Sequence, residues 1–280
     1  AGARDYVVKP YDVKELLGSL RTAVAVRDTA RGVGDDGPLA RLVGDSPRMR
    51  EAKELLLRYA PSDAPVLLLG ESGTGKELAA RILHETSRRR AGPFVAMNCG
   101  AVAETLLESE LFGSEKGAFT DAVSRPGSFE RATGGTLFLD EIGEMSTPAQ
   151  ARLLRVLEDR ELTRVGGSRA VPIDVRVVSA TNRDLKAGAE TGSFRHDLFY
   201  RLAVLPVRMP ALRERPSDIP LIAAHLLSRD GRCPGLAEDA RDLLLGHPWP
   251  GNVRELRNVL ERAVLASGGG RIEARHLTFD

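Results

Sequence analysis

The segment Gly70–Lys76, which reads GESGTGK, restricts the fold more than any other stretch of this chain of 280 residues. It follows the apolar run Val66–Leu69 and opens a stretch with helical spacing. A short apolar run without alternation is typical of a strand that is buried on both faces in the middle of a parallel sheet. A strand, a glycine-rich turn and a helix in that order predict an α/β fold with a parallel sheet.

The same segment has the spacing G-x-x-x-x-G-K, in which backbone N–H groups and a helix N-terminus point at phosphate groups. Lys76 would reach the β- and γ-phosphates of a nucleotide. At the next position, Glu77 replaces the serine or threonine whose hydroxyl usually contacts magnesium. A glycine-rich turn that holds no nucleotide is the structural alternative. The predicted nucleotide-binding residues here are Gly70, Glu71, Ser72, Gly73, Thr74, Gly75, Lys76 and Glu77.

Two acidic residues, Asp140 and Glu141, end a second apolar run, TLFLD. Charges at the end of a buried strand are unfavourable unless they are paired or used. We expect Asp140 to hold Mg²⁺ through water, because Glu77 supplies no hydroxyl, and Glu141 to polarise the water that attacks ATP. A solvated acidic turn is the alternative. Asn182 ends another strand, where ligands gather in parallel sheets; it could sense the γ-phosphate or be an ordinary turn asparagine.

Apolar periodicity extends the α/β pattern along the chain. Further strands are predicted at 94–98, 136–140, 173–179 and 203–207, and helices at 47–59, 75–89, 104–112 and 148–159. After residue 209 the pattern is purely helical, at 217–228, 236–246 and 252–267. The predicted organisation is a strand-and-helix element at 1–27, a linker at 28–39, a three-layer α/β domain at 40–208 and a small all-α subdomain at 209–280.

Bulk composition excludes some classes of protein. The net charge of +1 gives no global field for nucleic acid or membrane. No apolar run approaches the roughly 20 residues of a membrane span, and no signal peptide is evident. Cys99 and Cys233 form no CxxC pair, which favours reduced, buried thiols in a cytoplasmic protein. The chain starts without methionine in what reads as mid-domain, so we expect a fragment of a longer protein.

One loop does not fit a solvated turn. The segment GSEKGAFTDA at 113–122 is flanked by glycines, yet its middle carries Phe119 and Thr120. An isolated sequence of this kind would more often be a core-packed turn.

The motifs GESGTGKE, GAFTDA, GGTLFLDEI, SATN, FRHDLFYRL and WPGNVREL follow in this order within residues 40–280. This combination strongly resembles the AAA+ domain of bacterial sigma-54-dependent transcriptional activators of the NtrC type. The resemblance implies a P-loop AAA+ ATPase core with a helical lid, which uses ATP and Mg²⁺. It also implies a homo-oligomeric ring, usually a hexamer, that remodels sigma-54 RNA polymerase holoenzyme to drive promoter opening.

The resemblance gives the apolar loop a role, because in this family it contacts sigma-54 when ATP is bound. Phe119 and Thr120 would be the contacting side chains. Each has few rotatable bonds, so little conformational entropy is lost when it is buried against a partner. Asp121 departs from the family pattern, which usually has glycine there; it adds a charge and loses freedom at positive φ. Asp121 favours one alternative, a nucleotide-dependent regulatory module not coupled to sigma-54. The implied contact residues are Gly117, Ala118, Phe119, Thr120, Asp121 and Ala122.

Other roles are implied position by position. Arg195 and Arg201 match arginines that reach the nucleotide of a neighbouring subunit, and Arg254 matches the lid arginine that reads the nucleotide state. Asn98 matches the residue that holds the catalytic glutamate off until the partner engages. The segment RVGG at 164–167 matches a second loop that acts beside the first.

Two expectations concern the lid. Asn252 is expected to cap the helix that begins beside it, and Trp249 is expected to be a packing anchor.

The two ends of the chain are best understood against the layout of a larger regulator. Residues 1–26 resemble the end of a response-regulator receiver domain, with Lys9 and Tyr6 at its switch positions, which implies a two-component system. The family's C-terminal helix-turn-helix is missing, so this chain is expected to bind enhancer DNA weakly or not at all. A general AAA+ remodeller such as an unfoldase is a weaker reading, since it does not account for GAFT.

Overall fold

The computed structural model describes residues 37–118, 123–229 and 235–279. The chain divides into two compact units, Ala1–Ala40 and Arg41–Asp280, and the sheets and the described α-helices lie in the second. The predicted receiver remnant at 1–27 lies outside the described residues. Within the described ranges, no helix is long and apolar enough to cross a membrane.

Strands and helices alternate through the first part of the second unit. The strands are β1 (Val66–Leu69), β2 (Phe94–Asn98), β3 (Thr136–Asp140), β4 (Glu161–Thr163), β5 (Ala170–Pro172), β6 (Arg176–Thr181) and β7 (Leu205–Arg208). The helices are α1 (Pro47–Tyr59), α2 (Lys76–Glu85), α3 (Glu104–Phe112), α4 (Ser128–Arg131), α5 (Thr147–Asp159), α6 (Leu185–Thr191), α7 (His196–Leu202), α8 (Ile219–Arg229), α9 (Glu238–Gly246) and α10 (Asn252–Ala266). Short 3-10 turns lie at Pro38–Arg41, Ile142–Glu144, Leu212–Glu214, Pro216–Asp218 and Ala274–His276.

Five parallel strands form the main sheet in the order β2-β3-β6-β1-β7. The central strands are continuous apolar runs because helices cover both faces of the sheet; β6 is buried along its whole length. All five carboxyl ends meet at one edge, where ligands bind in such sheets. The predicted α/β fold class is therefore confirmed.

Several element boundaries differ from the sequence prediction. The strand predicted at 173–179 begins at Arg176, because the residues before it lead out of an antiparallel hairpin of β4 and β5 that periodicity did not reveal. The helix predicted to reach residue 89 ends at Glu85. There the side chains of Thr86 and Ser87 bond the carbonyls of Ile82 and His84, which ends the ladder.

Arg176 shows how the amino end of the sheet is closed. Its side chain is almost fully buried and donates to the carbonyl oxygens of Tyr59 and Ala60, both at 2.8 Å. These carbonyls lie at the C-terminal end of α1, where backbone acceptors lack partners within the helix. A buried cation therefore joins α1 to the central strand.

The C-terminal helices pack around their own apolar core. Trp249 is fully buried, and its indole nitrogen donates to the carbonyl of Leu244 at 2.8 Å, so the expected packing role is confirmed. The expected cap at Asn252 is wrong. Gly251 is the N-cap of α10, and the buried Asn252 side chain instead receives the N–H of Leu212 at 2.7 Å.

Candidate nucleotide site

The glycine-rich loop joins the carboxyl end of β1 to α2, as predicted. Lys76 is the first residue of α2 and is only 8% exposed. Its ammonium group donates to the carbonyls of Gly70 at 2.7 Å and Glu71 at 2.9 Å. Burial lowers the pKa of Lys76, and the nearby Asp140 and Glu141 partly offset that shift. The lysine thus lies inside the loop and faces the acidic pair.

Asp140 and Glu141 lie at the end of β3, at the same edge of the sheet. Burial raises the pKa of Asp140, although the backbone N–H of Glu141 donates to its carboxylate at 3.0 Å and opposes the shift. Glu141 has a left-handed backbone with φ of 54°. That conformation is uncommon for a residue with a β-carbon and costs of order 1–3 kcal/mol, which is typical of functional sites.

Asn98 ends β2 and pairs with Asp140 across the sheet. Its side-chain oxygen accepts the N–H groups of Gly100 at 2.8 Å and Ala101 at 3.0 Å, and so shapes the turn after β2. Glu141 lies against that turn, since a β-carbon at Gly100 would be 2.6 Å from its carboxylate oxygen. Asn98 therefore bounds the space in which the glutamate carboxylate sits.

A cavity of about 310 Å³ lies over these groups. Most of the predicted residues line it together, from Ser72 through Glu77 with Asn98, Asp140, Glu141, Asn182 and Arg254. One apolar wall was missed by sequence reasoning, since its residues come from distant segments and carry no motif. It consists of Leu42, Val43, Ile222, Leu226 and Val253. A polar floor and an apolar wall in one cleft are typical of small-molecule sites.

The carboxylate of Glu77 is engaged in an ion pair within α2. It accepts the guanidinium of Arg81 at 2.8 Å, one helical turn away. A carboxylate has no hydroxyl to offer a metal ion.

The helical lid rests directly on the glycine-rich loop. Gly73 has φ of 79°, and a β-carbon there would lie 2.3 Å from the carbonyl of Gly251, so only glycine fits. Asn252 donates to the carbonyl of Ser72 at 3.0 Å, and Arg254 donates to the hydroxyl of Ser72 at 2.8 Å. These contacts tie the start of α10 to the loop.

Glu71 adds a second tie between the loop and the lid. Both oxygens of its carboxylate face the guanidinium of Arg213, and one also receives the amide of Asn252 at 3.2 Å. Hydrogen bonds from Arg213 and then Asn252 lower the pKa of Glu71 to about 2. The side chain of Glu71 therefore faces the lid.

The donor set near Asp140 fits a magnesium ion that is shared with phosphate groups. Among the described residues, no three His, Cys, Asp or Glu side chains cluster in a way that could hold a metal. Mg²⁺ commonly binds through one or two carboxylates, waters and substrate phosphates. Asp140 supplies a carboxylate of that kind next to the loop.

The base of the apolar loop is anchored, whereas Phe119, Thr120, Asp121 and Ala122 lie outside the described residues. Ser114 forms bridges with Arg125 on one side and Val165 on the other. A β-carbon at Gly166 would lie 2.6 Å from the β-carbon of Ala118, so the second loop touches the first.

Arg164 holds the two loops together. Its guanidinium donates to both oxygens of Glu130, at 2.7 and 3.0 Å, and to Glu115 at 3.0 Å. Hydrogen bonds from Arg164 lower the pKa of Glu130.

Arg195 and Arg201 lie at the two ends of α7. The guanidinium of Arg195 pairs with Asp197, with atoms 2.6 and 3.0 Å apart. Arg201 donates to the carbonyl of Leu157 at 2.8 Å. Neither is among the residues that line the cavity.

Comparison with known proteins identifies the family. Residues 42–208 match the model of the sigma-54 interaction domain, and residues 213–280 match an AAA+ ATPase lid domain. The chain belongs to the sigma-54 interaction domain family. The resemblance inferred from the motifs is thereby confirmed.

Two transcriptional regulators align over nearly the whole chain. The transcriptional regulatory protein ZraR of Salmonella typhimurium is 48% identical over 99% of this chain and 65% of its own length. The DNA-binding transcriptional regulator NtrC of Rhizobium meliloti is 49% identical over 93% of this chain and 55% of its own length. This chain thus spans less than two thirds of the length of these relatives.

A solved structure agrees with the fold. NtrX from Brucella abortus, crystallised in complex with ATP, superposes with a TM-score of 0.79 at 36% identity. The match covers 99% of this chain and 66% of NtrX.

Proposed function

We propose that this chain is the ATP-hydrolysing domain of a sigma-54-dependent transcriptional activator. The observation that carries the proposal is the single cavity that brings together Lys76, Asp140, Glu141, Asn182 and Arg254. An ammonium group, two carboxylates, an amide and a guanidinium at a glycine-rich loop suit phosphoryl transfer to water. The family match, and the ATP complex of NtrX, support the same chemistry.

Each group has a distinct task in this proposal. The ammonium of Lys76 leaves the loop carbonyls for the β- and γ-phosphates, while the loop N–H groups wrap them. Asp140 would hold Mg²⁺, which when bound would neutralise charge on the phosphates. Glu141 orients and polarises the attacking water, and Asn182 senses the γ-phosphate. Asn98 keeps the Glu141 carboxylate back until the partner engages.

The site is completed by a neighbouring subunit in a homo-oligomeric ring, which the family resemblance suggests is a hexamer. Arg195 and Arg201 lie outside their own cavity, as a residue given to a neighbour must. An arginine supplied in trans stabilises charge on the transferring phosphate and can be worth about 10³–10⁵ in rate. Arg254 and the lid read whether the site holds ATP or ADP.

The work of hydrolysis passes to sigma-54 RNA polymerase through the loop at 117–122, with Phe119 and Thr120 as contacting side chains. The loop base is bonded to the second loop at 164–167, so both would move together.

We further propose that residues 1–27 are the end of a receiver domain, that 28–39 is a linker, and that 40–208 and 209–280 form the ATPase core and lid. Enhancer DNA would be bound by a separate helix-turn-helix, and the protein would act in the cytoplasm.

Binding to purified sigma-54 tests the proposal. The chain is incubated with sigma-54 and either ADP with aluminium fluoride, which mimics the transition state of hydrolysis, or ADP alone. We expect a complex only with the fluoride. If the chain hydrolyses ATP but forms no complex in either state, the proposal that it is an ATPase stands and the proposal that it acts on sigma-54 is overturned.

Asp121 favours a second candidate, a nucleotide-dependent regulatory module that is not coupled to sigma-54. The substitution Asp121→Gly separates the two. A complex that appears only in this variant supports the second candidate, whereas little change supports the first.

Phe119→Ala and Thr120→Ala should abolish activation and leave ATP hydrolysis intact; continued activation would rule out the contact role.

A further inference from the structure

Gln150 is a fully buried polar residue on a helix whose inward face is otherwise apolar. It lies in the first turns of α5 and is 0% exposed. Buried amides are unfavourable unless every donor and acceptor is satisfied. Its hydrogen bonds therefore show what the residue holds.

The amide of Gln150 connects two segments with separate tasks. Its nitrogen donates to the carbonyl of Met145 at 2.8 Å and to the carbonyl of Ser193 at 3.2 Å. Its oxygen accepts the backbone N–H of Arg195 at 2.8 Å. Two carbonyls and one N–H fix the orientation of the amide, since the flipped group would place its oxygen against carbonyl oxygens.

In the proposed ring, the two segments serve different active sites. Met145 follows the turn Ile142–Glu144, which begins directly after Glu141. Arg195 is the N-cap of α7, and its own side chain does not bond it to α5 but pairs with Asp197. One side chain thus links the acidic segment of a subunit to the arginine that this subunit gives to its neighbour.

We propose that Gln150 is a positioning residue that sets the location of Arg195 in the active site of the adjacent subunit. This inference rests on the proposed function, in which Arg195 acts in trans. With the amide removed, the N-cap of α7 loses its anchor to α5, and the guanidinium enters the neighbouring site out of place. A displacement of about 1 Å can cost 10²-fold in rate, so we expect kcat to fall about 10- to 100-fold while KM for ATP changes little.

Subunit mixing tests where the defect lies. Glu141→Gln subunits have no working site but carry an intact Arg195, whereas Arg195→Ala subunits have a working site and no arginine to give. Mixed with each other, these two should regain ATP hydrolysis. Gln150→Met should regain activity with Glu141→Gln subunits and not with Arg195→Ala subunits. Recovery only with Arg195→Ala, or with neither, would overturn the positioning role.

Controls separate this role from lost stability. Gln150→Leu also removes the acceptor for the N–H of Arg195 and keeps an apolar side chain of similar size, and it replaces Gln150→Met if that variant fails to fold. Arg176→Met is the matched control, because it also removes two buried bonds to backbone carbonyls, at the opposite end of the sheet. It should lower Tm and leave kcat within about twofold below its melting range. If Glu141→Gln and Arg195→Ala fail to complement, the arginine does not act in trans, and the proposed function fails at that step.

Discussion

At the scale of single residues, Asp140 illustrates a conflict between stability and chemistry. Burial raises its pKa, so the folded protein resists ionisation of this carboxyl group. At low pH the carboxyl group is protonated in both the folded and the unfolded chain, so it takes nothing from the stability of the fold. As pH rises above the ordinary value of 3.8, the unfolded chain ionises first, and stability falls until the raised folded pKa is passed.

The substitution Asp140→Asn removes that loss and should make the protein without nucleotide more stable at pH 7. The difference in Tm from the wild type should be small near pH 3.5 and grow as pH rises to neutrality. Hydrolysis of ATP should fall by more than about 100-fold, as when one preorganised electrostatic contributor is removed. Thermal melts at several pH values and a steady-state assay check both parts; a lower Tm at pH 7 would contradict the argument.

Asn252 combines a left-handed backbone with buried hydrogen bonds, and two substitutions separate them. Its φ is 54°, and its amide serves the N–H of Leu212 and the carbonyl of Ser72. Asn252→Ala should lower the free energy of unfolding by about 3 kcal/mol, from two unsatisfied groups and the backbone strain. Asn252→Gly loses the same bonds without the strain and should be about 1 kcal/mol less damaging. Urea unfolding measures both values, and equal losses would show that the backbone is not strained.

At the scale of elements, Arg164 makes the bases of the two loops one unit. The substitution Arg164→Ala removes the ion pairs with the part-buried Glu130 and with Glu115, and so loosens the bases of both loops. We expect faster amide exchange at 113–118 and 123–127, a weaker complex with sigma-54, and ATP hydrolysis within a few-fold of the wild type. Arg275→Ala removes an exposed pair with Glu273 far from the loops and serves as the control. Unchanged exchange in the Arg164 variant would mean that backbone bridges alone hold the loops.

The elements that sequence reasoning found are those with long, regular apolar patterns. The buried strands could be predicted because burial on both faces gives a continuous apolar run, and α1, α5 and α10 because burial of one helical face imposes a clear period. The β4–β5 hairpin and the four-residue helix α4 are too short to show one. At the site, motif spacing located the polar residues, since chemistry fixes their types. Gln150 and the apolar wall of the cavity escaped, because only the folded chain brings their segments together.

At the scale of the whole molecule, the proposed role of Arg195 and Arg201 in trans means that one subunit would carry an incomplete site. The cavity holds a lysine, two carboxylates and the lid arginine, while Arg195 and Arg201 lie outside it. Arg195 is held by Asp197 of its own chain in an exposed ion pair, and solvent-exposed pairs of this kind contribute little to stability. In the proposed ring, Arg195 would therefore exchange Asp197 for a phosphate in a neighbouring subunit at little energetic cost.

The rate of ATP hydrolysis per subunit should consequently depend on protein concentration. We expect it to be low where the chain sediments as a monomer and to rise at least tenfold as rings form, because an arginine in trans is worth about 10³–10⁵ in rate. Arg195→Ala should sediment as the wild type does and stay slow at every concentration, which separates assembly from catalysis. Steady-state assays over a dilution series, paired with sedimentation velocity, make the measurement. A constant rate per subunit from monomer to oligomer would mean that each chain completes its own site, and the roles given to Arg195 and to Gln150 would both fall.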